Sequence, residues 1–224
     1  MVDIDVRAEY FNAREALEAT CEVPGSEQYD ELLIEVICGT ILVLQENFSM
    51  QDRLWEVTDL THEFCRCLDR LSDGCSQMET VTTAIYRMSD FISQRPRLEV
   101  AFSECVLRLY RRSLALKDSS EQSIEYWVEH IDFLRRNIER ADRGDLDSIE
   151  QRGRFLKSDP VEWTARWEEV IDDAEREAYS RLEDLPRGMG FCYGYWSALG
   201  AVLSEKYGIE WRSPSVMNRG VMFD

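Results

Sequence analysis

Apolar residues recur at helical intervals along nearly the whole chain, and they divide it into a series of amphipathic segments. Val6, Tyr10, Ala13 and Leu17 share one face of a helix over 3–21, which Pro24-Gly25-Ser26 breaks. A second helix, 27–47, has some strand character at Ile37-Cys38-Gly39-Thr40-Ile41, but its length and flanks read as a buried helix. Ser49 with Asp52 predicts the cap of a third helix to about Leu71, ended by Asp73-Gly74, and Ser76 with Glu79 predicts a capping box for a fourth, to about Gln94. Pro96 opens a fifth helix through Leu116, with Leu98, Phe102, Cys105 and Leu109 inward. Ser119 with Gln122 opens a sixth through Ala141, lined by Ile124, Trp127, Ile131, Leu134 and Ile138. Asp145 begins a short seventh that ends near Lys157.

The stretch from Asp159 is the most informative. Asp159-Pro160-Val161-Glu162 reads as a capping box with proline at the first helical position. Trp163, Trp167, Val170, Ile171, Ala174, Ala178 and Leu182 then form an apolar face over 160–184. Glu168, Glu169, Asp172, Asp173, Glu175 and Glu177 fill the other side, as a solvated helix face or a docking surface for a cationic partner. After Pro186-Arg187-Gly188 the composition changes. Gly190, Gly194 and Ala198 lie four apart, which predicts a flat strip on a helix over 188–207 and close packing on the 160–184 helix. Neither phosphate-loop glycine spacing is present. Gly208 suits a left-handed helix cap.

Beyond Gly208, the residues Trp211, Val216, Met217, Val221, Met222 and Phe223 are too apolar for a free tail. They predict a segment docked along the C-terminal helices, with Trp211 and Phe223 as anchors and the terminal carboxylate near an arginine. The run Tyr207-Gly208-Ile209-Glu210-Trp211-Arg212-Ser213-Pro214-Ser215-Val216-Met217-Asn218 through Phe223-Asp224 resembles the ending of a loosely defined group of uncharacterised bacterial proteins. These close on a pattern like YGI-x-W-x-SP-x-x-MNP-x-x-x-FD. Cys192 and Tyr195-Trp196 are similar to a Cys/His-then-Trp feature of the same group, and Arg219 stands where proline is expected. The resemblance covers the final quarter of the chain. It implies a bacterial or phage origin and carries no activity.

With about nine helices, 5 prolines and 11 glycines, the chain reads as all-α, a single multi-helix domain of 224 residues in an orthogonal or up-down array. If it subdivides, the break falls between a helical array, 1–157, and a C-terminal helix pair with docked tail, 158–224. The most apolar run, Leu32 to Leu44, is interrupted by Glu35 and too short to span a membrane. Seven cysteines without a paired framework, and no cleavable signal sequence, point to reduced thiols in a cytoplasm.

Charge sharpens the functional reading. The net charge is −18, and residues 1–50 hold eleven acids against two bases. Residues 51–117 balance at ten against ten, whereas 159–187 hold ten acids against four bases. Two acidic blocks repel nucleic acid and anionic lipid and steer cationic partners inward.

Candidate chemistry is sparse. His62 with Cys65 and Cys67 lacks the paired spacing of a zinc site, and Asp59-Leu60-Thr61-His62 is a single approximate match to a dimetal motif that needs two. No nucleophile elbow or Walker loop is present. Arg108, Arg111 and Arg112 read as ion-pair partners for a neighbouring helix. The sequence therefore predicts no catalytic residues, no metal and no cofactor. It predicts an interaction protein that presents Glu168, Glu169, Asp172, Asp173, Glu175 and Glu177 to a basic protein partner. A DNA mimic acting on a nucleic-acid-binding protein is its sharpest form. The alternative is an enzyme with a carboxylate- or cysteine-based site in a helical cleft.

Overall fold

Every regular element among the described residues is helical, as the apolar spacing requires. The computed structural model describes residues 5–114, 121–151 and 156–223. The α-helices are α1 (Val6–Ala19), α2 (Glu27–Met50), α3 (Val57–Arg70), α4 (Met78–Ile92), α5 (Pro96–Leu114), α6 (Glu121–Asp142), α7 (Ala165–Ser180), α8 (Phe191–Tyr207) and α9 (Pro214–Met217). Short 3-10 turns cover Leu54–Glu56, Leu146–Ser148 and Pro160–Trp163. The expected Ser119 cap and the position of the terminal carboxylate fall outside the described residues.

The chain packs as two compact units. The first takes in Met1–Glu46, Val57–Ser93 and Leu98–Phe133, and the second Asn47–Glu56, Gln94–Arg97 and Leu134–Asp224. This draws the end of α6 and two short upstream segments into the C-terminal unit.

The first unit is built around α2. Its Leu33, Val36, Ile37, Ile41, Val43 and Leu44 are buried and leave only narrow lines of exposure, so α2 is apolar nearly all round. By length and composition α2 would suffice to cross a membrane, longer than its uninterrupted apolar run suggests, yet 56% of its most apolar window is buried within the protein. Around it pack Tyr10 and Leu17 of α1, Leu60, Phe64 and Leu68 of α3, and Ile85 and Met88 of α4. Phe102 and Leu109 of α5 and Trp127 of α6 complete the core. Gly39 marks a close helix approach: a Cβ there would lie 3.0 Å from Tyr10 Cδ2 of α1.

Two caps expected from local pattern are not formed. Ser76 Oγ donates to Glu27 Oε1 instead, and α4 starts after Gln77 with no side-chain cap. Ser49 lies in the last turn of α2, and α3 begins only after the 3-10 turn at Leu54–Glu56. Between them Gln51 and Arg53 take left-handed backbone angles, φ 49° and 51°. Buried Asn47 braces this turn through Nδ2, which donates to the Arg53 carbonyl at 3.2 Å and to Glu56 Oε2 at 3.0 Å.

The second unit is organised on α7 and α8. Trp167, Val170, Ile171, Ala174, Ala178 and Tyr179 of α7 bury against Phe191, Tyr195, Leu199, Val202 and Leu203 of α8. The capping box forms: Asp159 accepts from Val161 N–H at 3.2 Å and Glu162 reaches back to Asp159 N–H. It opens a 3-10 turn, however, and Thr164 caps α7 itself by accepting from Trp167 N–H. The expected glycine strip does not form. Gly190 lies outside α8 at φ 80°, and nothing comes within 4 Å of a Cβ built on Gly194, so large side chains rather than glycines face α7. Of the helix expected from Asp145 to near Lys157, the described residues form one 3-10 turn, Leu146–Ser148. Gly208 does close α8, at φ 67°, and Ile209 N–H donates back to the Leu203 carbonyl at 3.0 Å.

Candidate functional site

The six carboxylates of α7 do not form one solvated face. Glu175 is buried and Asp172 partly so, because Arg95 lies between them: Nη2 donates to Glu175 Oε2 at 2.8 Å and Nη1 to Asp172 Oδ1 at 2.9 Å. Burial pushes the Glu175 carboxyl up and Arg95 pulls it back. Glu175 in turn helps burial hold the Tyr195 and Tyr179 phenols protonated, Tyr195 well above its usual range. Arg95 also acts electrostatically on Glu168, which is half-buried. On the outer side, Glu169 pairs with Arg166, Asp173 with Arg176, and Glu177 with both Arg181 and Lys206. The Lys206 and Arg181 hydrogen bonds hold Glu177 below the usual carboxylate range. The acid of α7 is thus largely neutralised within the second unit.

The tail residues meet the capping box. Asp159 Oδ2 accepts from Arg212 N–H at 2.8 Å and from Arg212 Nε at 2.9 Å, and Trp211 Nε1 donates to Glu162 Oε1 at 2.8 Å. The Trp211 and Trp167 rings lie 5.8 Å apart, and Phe223 meets the Trp196 ring edge-on at 5.0 Å. Asn218 exchanges hydrogen bonds with Lys157, accepting from its N–H at 2.8 Å and donating to its carbonyl at 2.9 Å. Not every apolar tail residue is covered: Met222 is 88% exposed.

The histidines and thiols offer little chemistry. His62 is exposed while Cys67 is buried, and among the described residues no three of His, Cys, Asp or Glu gather as metal ligands. Burial raises the Cys38, Cys67 and Cys75 thiols, Cys67 to about 12, which disfavours the nucleophilic thiolate. His130 Nε2 lies 2.9 Å from buried Glu99 and stacks on Tyr126. Arg108 pairs with Asp69, and Arg112 with Asp73 and with the Leu68 and Leu71 carbonyls at and just beyond the end of α3.

The N-terminal acidic block is different. Glu9, Glu15 and Glu22 on and after α1, and Glu31 and Glu35 on the exposed line of α2, are all exposed. None has an ion-pair or hydrogen-bond partner for its side chain among the described residues. Between the two helices lies a groove of about 330 Å³ lined by Val6, Glu9, Tyr10, Ala13, Glu35, Cys38, Gly39 and Leu42. A second, of about 440 Å³, lies between α2 and α4 and carries Glu79 and Arg87. The charge of this block is visible in the sequence, whereas the candidate surface expected from the sequence lies on α7. The partners that decide the matter are remote in sequence: Arg95 lies 77 residues from Asp172 and 80 from Glu175. Comparison with protein-family models, with curated proteins and with solved structures finds no match to this chain.

Proposed function

We propose that this all-α protein is a binding protein that engages a basic protein partner through the acidic surface of α1 and α2. One observation carries the reading: the carboxylates of α7 are matched by arginines and a lysine, whereas Glu9, Glu15, Glu22, Glu31 and Glu35 are exposed and have no partner among the described residues. Unmatched carboxylates make the potential outside the protein more negative and steer a cationic partner during encounter. A partner that itself binds nucleic acid belongs to this class, and competition by duplex DNA for that partner would identify it. The apolar groove among these carboxylates favours a partner bringing both apolar and cationic groups over one that reads a phosphate-like array alone.

The test is titration of a fluorescein-labelled arginine-rich peptide by anisotropy. Binding is expected to weaken steeply from about 50 to about 300 mM salt. The triple variant Glu9→Gln, Glu31→Gln, Glu35→Gln is expected to weaken it roughly five-fold or more, while Glu169→Gln with Asp173→Asn leaves it within about two-fold. Equal effects of the two variants, or no binding at low salt, would refute the assignment.

A further inference from the structure

We infer that the groove between α1 and α2 is the docking slot for a cationic amphipathic helix of the partner. The inference rests on the reading above and adds a place and an occupant to it. Tyr10 against Gly39 holds the two helices together at one point, and the groove of about 330 Å³ runs alongside that contact. Its walls repeat with the same period on both helices: Val6, Glu9 and Ala13 on α1, and Glu35, Cys38 and Leu42 on α2. Each wall spans eight residues, so the slot is about 10 Å long at 1.5 Å per residue, or two turns of a partner helix. Leu42 is 42% exposed near the middle of a helix whose other branched aliphatic side chains are almost all buried.

Chemistry selects the occupant. The lining has an apolar floor, no basic residue, and two carboxylates without a partner among the described residues. An occupant must bury apolar side chains and bring cations to Glu9 and Glu35, which a helix does with apolar anchors at i, i+3 or i+4 and i+7 flanked by lysine or arginine. A second copy of this chain would bring the same acidic surface, eleven acids against two bases over residues 1–50, and repel it. The α2/α4 groove is less selective because Arg87 offsets Glu79 on its rim.

The test uses the full chain and a labelled leucine–arginine peptide of about 18 residues, long enough to sustain a helix. A scrambled peptide of identical composition is the control. The expected result is that the amphipathic peptide binds roughly ten-fold tighter than the scrambled one. Glu9→Gln with Glu35→Gln, and separately Leu42→Asp, should each weaken it roughly five-fold or more while the circular dichroism melt is retained. Hydrogen-exchange protection on binding should concentrate in α1 and the adjoining turns of α2. If both peptides bind equally, or protection falls elsewhere, the slot is refuted while the acidic-surface reading survives. If neither binds at low salt, both fail. A concentration-dependent dimer abolished by Leu42→Asp would overturn the inference in favour of a second copy.

Discussion

Glu162 sits where a carboxylate is least at ease, buried between the turn it caps and the tail it holds. Burial raises its carboxyl from 4.5 to about 7, against the opposing pull of the Trp211 hydrogen bond. A carboxyl raised on folding contributes stability that is full below its unfolded value and is lost as pH climbs through the folded one. The melting temperature should therefore fall between pH 4.5 and about 7, with a linked loss on the order of 3 kcal/mol. Glu162→Gln keeps an acceptor for Trp211 and should flatten that dependence; calorimetry across the window decides, and an unchanged slope would remove Glu162 as its source. The thiols make a second case. Cys21 is exposed, whereas Cys67 and Cys75 are buried and raised by burial, and Cys105 is raised by hydrogen bonding with Cys65 and by burial. Iodoacetamide at pH 8 should label Cys21 within minutes and leave Cys67, Cys75 and Cys105 unlabelled until denaturant is added, as read by peptide mass spectrometry.

Among the elements, Asp159 joins two that are 53 residues apart, since the oxygens that cap the turn before α7 also hold Arg212. Asp159→Ala leaves the Val161 and Arg212 N–H groups without that acceptor and should destabilise by about 2 to 3 kcal/mol. Limited proteolysis of the variant should cut after Arg212 before the rest of the second unit, and a cut pattern identical to the wild type would sink this account. These elements also show what the chain displays locally. The helices were legible because their burial is periodic, as in Trp167, Val170, Ile171, Ala174 and Ala178. The capping box at Asp159 was legible because its partners lie three residues apart. The fate of Ser76 is not legible locally because a carboxylate 49 residues upstream takes its hydroxyl, and such competition leaves no local trace. Gly194 differs from expectation for the converse reason: small size permits close approach but does not require it. The α7 carboxylates were visible as residues, but their neutralisation by Arg95 was not.

On the scale of the whole molecule, the second unit is discontinuous. Residues 134–224 form most of it, yet Arg95 comes from Gln94–Arg97 and Trp55, whose ring meets Tyr179 at 5.3 Å, from Asn47–Glu56. Expressed alone, 134–224 would leave Glu175 buried without its cation, a loss of about 3 to 5 kcal/mol, and should show no cooperative thermal transition. A sharp melt of that fragment by circular dichroism would contradict this. The same discontinuity constrains how such a gene can be reshuffled. A crossover anywhere between codons 97 and 134 gives the daughter protein Arg95 from one parent and Asp172 and Glu175 from the other. Two parents whose residues at these positions differ in sign would then yield chimeras with a stranded charge, even where the breakpoint falls between the end of α5 and the start of α6. Viable recombinants should exchange all three residues together.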